Sequence, residues 1–144
     1  MTEPYKVSSL ADIPAPTARE DGEGEWKSLR HHFGIQAFGG SAYVAHEAGD
    51  WVVPEHDEAG SSIGTSTPHE ELYFVAAGEA EFRVGDDRFD APAGTFVFVR
   101  DPALVRTATA RSAGTTVLAF GGAPGEAFAV SPWEQRYTGA AVER

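Results

Sequence analysis

The sequence predicts an all-β domain that ends in one short helical turn. Three observations lead there. Runs of branched and aromatic residues, several alternating with polar ones, recur along most of the chain. Glycine and proline, 16 and 9 of 144 residues, separate these runs at the close intervals that many strands joined by turns require. Only Ser131-Pro132 carries the signals of a helix start.

Taken in order, residues 1–25 hold Pro14, Pro16 and the acidic run Glu20 to Glu25, and are expected to form an extended arm. Residues 26–130 are the expected barrel. His31 to Phe38 reads as a first strand, broken by Gly39-Gly40, and Ala42 to His46 as a second. Trp51 to His56 is a third, where Pro54 predicts an edge or a strand end. Residues 59 to 67, all small or polar apart from Ile63, read as a rim loop. Glu71 to Val75 and Ala80 to Val84 follow, divided by Gly78. Gly85-Asp86-Asp87 offers turn residues before Arg88 to Asp90, so two consecutive hairpins are expected. Pro92-Ala93-Gly94 precedes a strand at Thr95 to Val99, and two more are expected at Val105 to Thr109 and Thr115 to Phe120. In the tail, 131–144, Ser131 caps a helix with Pro132 first and Glu134 in its opening turn, and two turns fit before Gly139. Eight to ten short strands, roughly, and almost no helix point to a closed or double-sheet jelly roll.

Composition bounds the partners. Hydrophobic residues at 42% and charged residues at 23% suit a folded soluble domain with its own core. A formal net charge of −11 repels phosphate backbones and anionic lipid, so neither nucleic acid nor membrane is an expected partner. With no cysteine there is no disulfide, thiolate ligand or thiol nucleophile. No leader-like segment or membrane-length apolar run is evident, so a cytoplasmic location is expected.

The residues Glu71-Leu72-Tyr73-Phe74-Val75-Ala76-Ala77-Gly78, and Pro92-Ala93-Gly94 with the strand after it, resemble the two motifs of the cupin superfamily. The resemblance covers roughly residues 40 to 120. It implies a double-stranded β-helix, a small-molecule ligand, a homodimer formed through sheet edges or terminal strands, and, in many members, a divalent zinc, iron, manganese or nickel ion held by three histidines and a glutamate.

Carried over residue by residue, the metal motif is incomplete. Counted back from Glu71 without a gap, the histidine pair falls on Thr65 and Thr67. With a loop insertion at 59 to 67, His56 matches the first histidine and Glu58 stands in place of the second. The histidine of the second motif falls near Val105, and none exists beyond residue 69. A metal would need His56, Glu58, His69 and Glu71.

The same residues can work without metal. Alternation puts His56 and Glu58 on one face, and Glu71, Tyr73 and Val75 on another inward-facing row, with Phe82, Val84 and Val105 opposite. Glu58, Tyr73, Phe82 and Val105 are therefore the expected ligand-binding residues, and His56, His69 and Glu71 the expected acid–base residues, because burial raises a glutamate toward neutral pH. Three readings stay open. One is a metal-independent isomerase, cyclase or lyase; another is a metal-dependent dioxygenase or isomerase; the third is a non-catalytic sensing or structural barrel. Arg100 and Arg106 are expected in surface ion pairs, and Trp26, Trp51 and Trp133 in the core or an interface.

Overall fold

A computed structural model of the chain describes residues 3–16, 20–59 and 68–138. Among these residues nine strands form two antiparallel sheets facing each other, a jelly roll. The first sheet has the order β1 (Glu25–Ser28), β2 (Gly39–Val44), β9 (Thr116–Gly122), β4 (Glu70–Ala77), β7 (Phe96–Val99). The second has the order β3 (Trp51–His56), β8 (Arg106–Ala110), β5 (Glu79–Val84), β6 (Asp87–Pro92). Helix α1 spans Leu29–Phe33 and α2 spans Pro132–Thr138. No helix among the described residues is long and apolar enough to cross a membrane.

Two local expectations are overturned. His31 to Phe33 belongs to α1, not to a strand. The Leu-Arg-His-His-Phe run has no β-branched residue, Ser28 Oγ accepts from the His31 N–H at 3.0 Å, and Gly34, at φ 71°, closes the helix in the left-handed region. The second correction concerns Gly78. The strands on either side of it do not pair: β4 lies in one sheet and β5 in the other, so Gly78 is the corner between sheets. A side chain there would collide with Thr115, whose buried hydroxyl occupies the space a Cβ would need and bonds the Glu79 backbone. The second expected turn is a true hairpin. Val84 pairs with Asp87 across Gly85-Asp86, and a positive φ at Gly85 alone is the pattern of a type II′ turn.

The expected first strand is displaced as well: 34–38 is not strand, β1 lies earlier at Glu25–Ser28, and Gly39-Gly40, expected as a break, opens β2. β3 is an edge strand carrying Pro54, and α2 starts at Pro132 after Ser131, whose Oγ accepts from the Glu134 N–H at 3.4 Å. In the amino-terminal segment a 3₁₀ turn covers Leu10–Asp12 and Ile13 is buried. Trp26 donates from Nε1 to Ser41 Oγ at 3.0 Å, whereas Trp51 is 44% exposed on the edge strand, which excludes the core of the two places, core or interface, expected for it. Most of the rim loop (60–67), the tail beyond 138 and the Trp133 side chain lie outside the described residues.

Registers place the core. On the five-stranded sheet Val75 pairs with Val117, and Tyr73 lies between Ala119 and Val97; on the other, Phe82 pairs with Ala108 and Ala80 with Ala110. These buried side chains, with Val52 and Val53, fill the lower part of the barrel with hydrocarbon. One row further up, the inward positions become Glu71, Arg106 and His56. The interior changes from apolar to ionisable within one strand repeat, about 7 Å.

Candidate functional site at the barrel mouth

β4 brings Glu71 and Tyr73 to the same face, two residues apart, and the Tyr73 hydroxyl donates a hydrogen bond to Glu71 Oε1. Gly121, opposite Glu71 on β9, leaves room for this packing, because a Cβ there would lie 3.4 Å from Glu71 Cγ and 2.8 Å from the Glu70 carbonyl. From the facing sheet Arg106 Nη1 donates to the same Oε1 at 3.1 Å. Arg106 is fully buried, and the loop before β8 fixes it: Nε donates to the Leu104 carbonyl at 2.9 Å.

His56 ends β3, past two irregularities in its pairing with β8. Its Nδ1 lies 2.6 Å from the Pro54 carbonyl, which can only accept, so Nδ1 carries hydrogen. Its Nε2 lies 2.8 Å from Glu58 Oε2 and 3.7 Å from Glu71 Oε1. Glu58 is buried and held through its backbone, donating to the Pro102 carbonyl at 2.8 Å and accepting from the His69 N–H at 3.1 Å. That last bond ties the two ends of the 59–68 excursion together. It explains how Glu58 and Glu71, well separated in sequence, serve one site. His69 Nδ1 stands 3.7 Å from Glu58 Oε1, and its ring lies 6.3 Å from that of Phe128.

The structure therefore brings together His56, Glu58, His69, Glu71 and Tyr73 from the sequence expectation. Two positions differ. Val105 is 38% exposed, and Arg106 takes the inward place. Strand parity is the reason, since the buried positions of β8 are 106, 108 and 110. This also corrects Arg106, expected at the surface. Phe82 faces inward but is packed core, 5.7 Å from the Tyr73 ring and stacked at 5.8 Å on Phe89, so it supports the site from below instead of lining it. The sequence reading misses the role of Arg106, although the alternation Arg106-Thr-Ala-Thr-Ala110 marks it as inward-facing. Arg100 lies over the Phe98 ring at 4.9 Å.

The protonation states follow from these contacts. Burial alone would lower His56, but hydrogen bonds to Glu58 and Glu71 outweigh it and push it up to about 10. Burial would raise Glu71, yet the His56 hydrogen bond and charge, the Tyr73 hydroxyl and Arg106 hold it below the usual carboxylate range. Glu58 moves up instead, through burial and the Glu71 charge, against the pull of its hydrogen bond to His56. Tyr73 is raised by burial and by Glu71, and His69 is lowered by burial. It is thus Glu58, not Glu71, that burial moves toward neutral pH.

His56, Glu58 and Glu71 each offer a ligand atom, all within 4.8 Å of one another. The set does not fit a divalent ion. Glu71 Oε1 is already claimed by a hydroxyl and a guanidinium, and a dication beside Arg106 Nη1 would meet a fixed positive charge. Arginine offers no lone pair in exchange.

No family profile and no curated protein sequence matches the chain. Solved structures do. A cupin protein from Bacteroides fragilis superposes with a TM-score of 0.59 at 16% identity, covering 90% of this chain and 92% of that one. An uncharacterised conserved protein with a double-stranded β-helix domain, from Klebsiella pneumoniae, gives 0.59 at 17% identity over 85% and 92%. A candidate sugar phosphate isomerase from Acidithiobacillus ferrooxidans gives 0.54 at 20% identity, covering 68% of this chain and 58% of that protein's length.

Proposed function

We propose that this chain, which has the cupin fold, binds a small polar organic molecule at the barrel mouth and moves a proton on it without a metal. The observation that carries the reading is the hydrogen-bonded His56–Glu58 pair seated against an ionised, immobilised Glu71. Because Nδ1 of His56 is committed to the Pro54 carbonyl, its contact with Glu58 through Nε2 holds one proton whichever partner carries it. Near neutral pH that proton rests on His56, and Glu58 is the base. Glu58 Oε1, turned toward His69, accepts a proton from the substrate. The His56 cation, held by Glu71, stabilises the negative charge that develops and can return a proton from Nε2. Isomerisation, cyclisation and elimination all share such a step.

Glu71 has a different part. With Tyr73 and Arg106 on one oxygen it is a fixed anion that keeps His56 charged, a positioning residue and not the proton carrier. The candidate isomerase among the structural neighbours is consistent with this class of chemistry, at an identity that speaks for fold alone. The test is proton exchange in deuterated water over a panel of small hydroxy- and keto-acids and sugars, followed by proton NMR. The expectation is exchange by the wild type that Glu58→Gln removes while binding persists. Exchange that survives Glu58→Gln, or the absence of any binding across the panel, would sink the reading.

A further inference from the structure

We propose that the outer face of the four-stranded sheet carries a second small-molecule site, which takes a hydroxylated ring bearing one carboxylate. A cleft of about 210 Å³ opens there, room for one such ring, between Trp51, Glu55, Arg83, Arg88, Thr107 and Thr109. It lies behind the barrel mouth. Glu55 precedes His56 on β3 and Thr107 follows Arg106 on β8, and neighbouring side chains on a strand point to opposite faces. One ligand molecule cannot touch both sites.

Register sets the floor of the cleft. Trp51 pairs with Thr109 and Thr109 with Glu81, while Thr107 pairs with Arg83 and Arg83 with Arg88. The two arginines are the observation that points to an anion. Like charges directly opposite on adjacent strands repel, and these do so in a chain with 22 acidic residues against 11 basic ones. Arg83 bonds Glu55 through Nη2, but its Nε is buried and has no acceptor among the described residues. Arg88 is exposed and meets no carboxylate among the described residues. The acids two positions along the same face, Glu81 and Asp90, are drawn off by Arg111, whose Nη2 lies 3.5 Å from Glu81 and also bonds Asp90. A carboxylate between the two guanidinium groups would accept from both and relieve their repulsion.

Trp51 supplies the other half. It is 44% exposed, and its backbone is fixed on both sides: its N–H donates to the Gly22 carbonyl at 2.8 Å, and its carbonyl accepts from the Gly24 N–H at 2.7 Å. A fixed indole receives the face of a ring with little left to order. Ring hydroxyls find partners around it. Thr109 Oγ has none among the described residues, and Thr107 Oγ, which donates to the Val53 carbonyl at 2.8 Å, keeps its lone pairs. Glu55 and Glu81 add acceptors, and their charge disfavours the second negative charge of a phosphate. A neutral sugar would leave the arginines opposed, and an apolar acid would leave the hydroxyls and carboxylates unused. A cyclic hydroxy acid uses both halves.

The probe is quinate, a cyclohexane ring with hydroxyls and one carboxylate, titrated into the isotope-labelled full chain and followed by heteronuclear NMR. The Trp51 indole N–H, assigned by its loss in Trp51→Phe, is expected to shift together with the Arg83 and Arg88 amides, with a Kd of about 1 mM as an open one-ring site allows. Arg88→Gln and Trp51→Ala, both changes of exposed side chains, should each weaken binding at least tenfold while the rest of the spectrum stays in place. Glucose, cyclohexanecarboxylate and glucose 6-phosphate should each bind at least tenfold more weakly than quinate. Glu58→Gln, which alters only the mouth, should leave the cleft shifts as they are, so failure of one site is distinguishable from failure of the other. A Trp51 indole that does not move, shifts confined to the mouth, or binding that survives Arg88→Gln unweakened would overturn the proposal. Any of the three comparison compounds binding as tightly as quinate would overturn the ligand class and the proposal with it.

Discussion

Arg106 and Glu71 meet at 3.1 Å across the mouth of the barrel, each projecting from a different sheet. Their contact fastens the two sheets where hydrocarbon packing ends. Arg106 is fully buried and Glu71 half-buried, which makes the pair costly to break from one side and easy to replace as a unit. Arg106→Met is expected to destabilise the chain by about 3–5 kcal/mol, because the Glu71 carboxylate loses the guanidinium bonded to it and keeps only the more distant His56 cation. Adding Glu71→Leu should recover most of that loss. Urea denaturation of both single variants and the double variant measures it, and additive losses would show that the two residues act independently.

Stability should depend on pH through the same cluster. His56 is raised from 6.5 to about 10, so its contribution is fully present below 6.5 and disappears as pH climbs toward 10. Glu71 is lowered from 4.5, so its contribution is present above 4.5 and is lost as pH falls through its folded value. Glu58 is raised and works in the opposite sense, favouring the folded chain while protonated and opposing it above 4.5. The expected profile of melting temperature has its maximum between about pH 4.5 and 6.5 and a long alkaline decline. Replacing His56 with Asn should flatten the alkaline limb. An unchanged limb would mean that the decline comes from elsewhere in the chain.

How much of the site is legible in the sequence depends on range. The pairs His56-x-Glu58 and His69-x-Glu71 sit at strand spacing, so their shared face follows from a period of two, and the structure brings all four to one mouth. Their meeting across the 59–68 excursion has no local signal, because the Glu58–His69 backbone bond that closes it is a tertiary contact. Arg106 escapes the reading because arginine is usually solvated, although Ala108 and Ala110 beyond it already set the parity of β8. Gly78 reads as a hairpin turn because a turn and a corner between sheets call for the same residue; only Thr115, far along the chain, distinguishes them. The α1 helix is hidden by Ile35 and Phe38, whose β-like character draws the preceding histidines into a strand.

The least legible contact is the one that fastens the tail. Glu134 on α2 accepts from Ser28 Oγ at 2.6 Å and from Arg30 Nε at 2.7 Å, with more than a hundred residues between the partners in sequence. Arg30 is fully buried, and its two Nη atoms have no acceptor among the described residues. Glu134→Ala is therefore expected to cost about 3–5 kcal/mol by stranding the guanidinium. Because α2 has only two turns, it should also come away from the barrel. Hydrogen exchange should then lose protection in α2 first, with β4 and β9 little changed. Uniform loss across the barrel would instead make the tail part of the cooperative core.

Metal content gives the sharpest division between readings of the mouth. Three donors within 4.8 Å are the start of a site, and a histidine with two carboxylates is chemistry that zinc or manganese accepts. Against this stands Arg106, whose charge is fixed at any working pH and whose Nη1 lies 3.1 Å from Glu71 Oε1, inside the donor set. A dication would have to sit beside that fixed positive charge and take the proton off His56, which is held up to about 10 by its carboxylate neighbours. Untagged protein is accordingly expected to carry well under stoichiometric zinc, iron, manganese or nickel by elemental analysis, and added zinc should leave its melting temperature unchanged. Arg106→Met, which removes the opposing charge and keeps all three donors, should bind zinc more tightly than the wild type by isothermal titration. A wild type that retains one ion per chain through dialysis would return the mouth to metal chemistry, with Glu71 as ligand and Arg106 displaced from it.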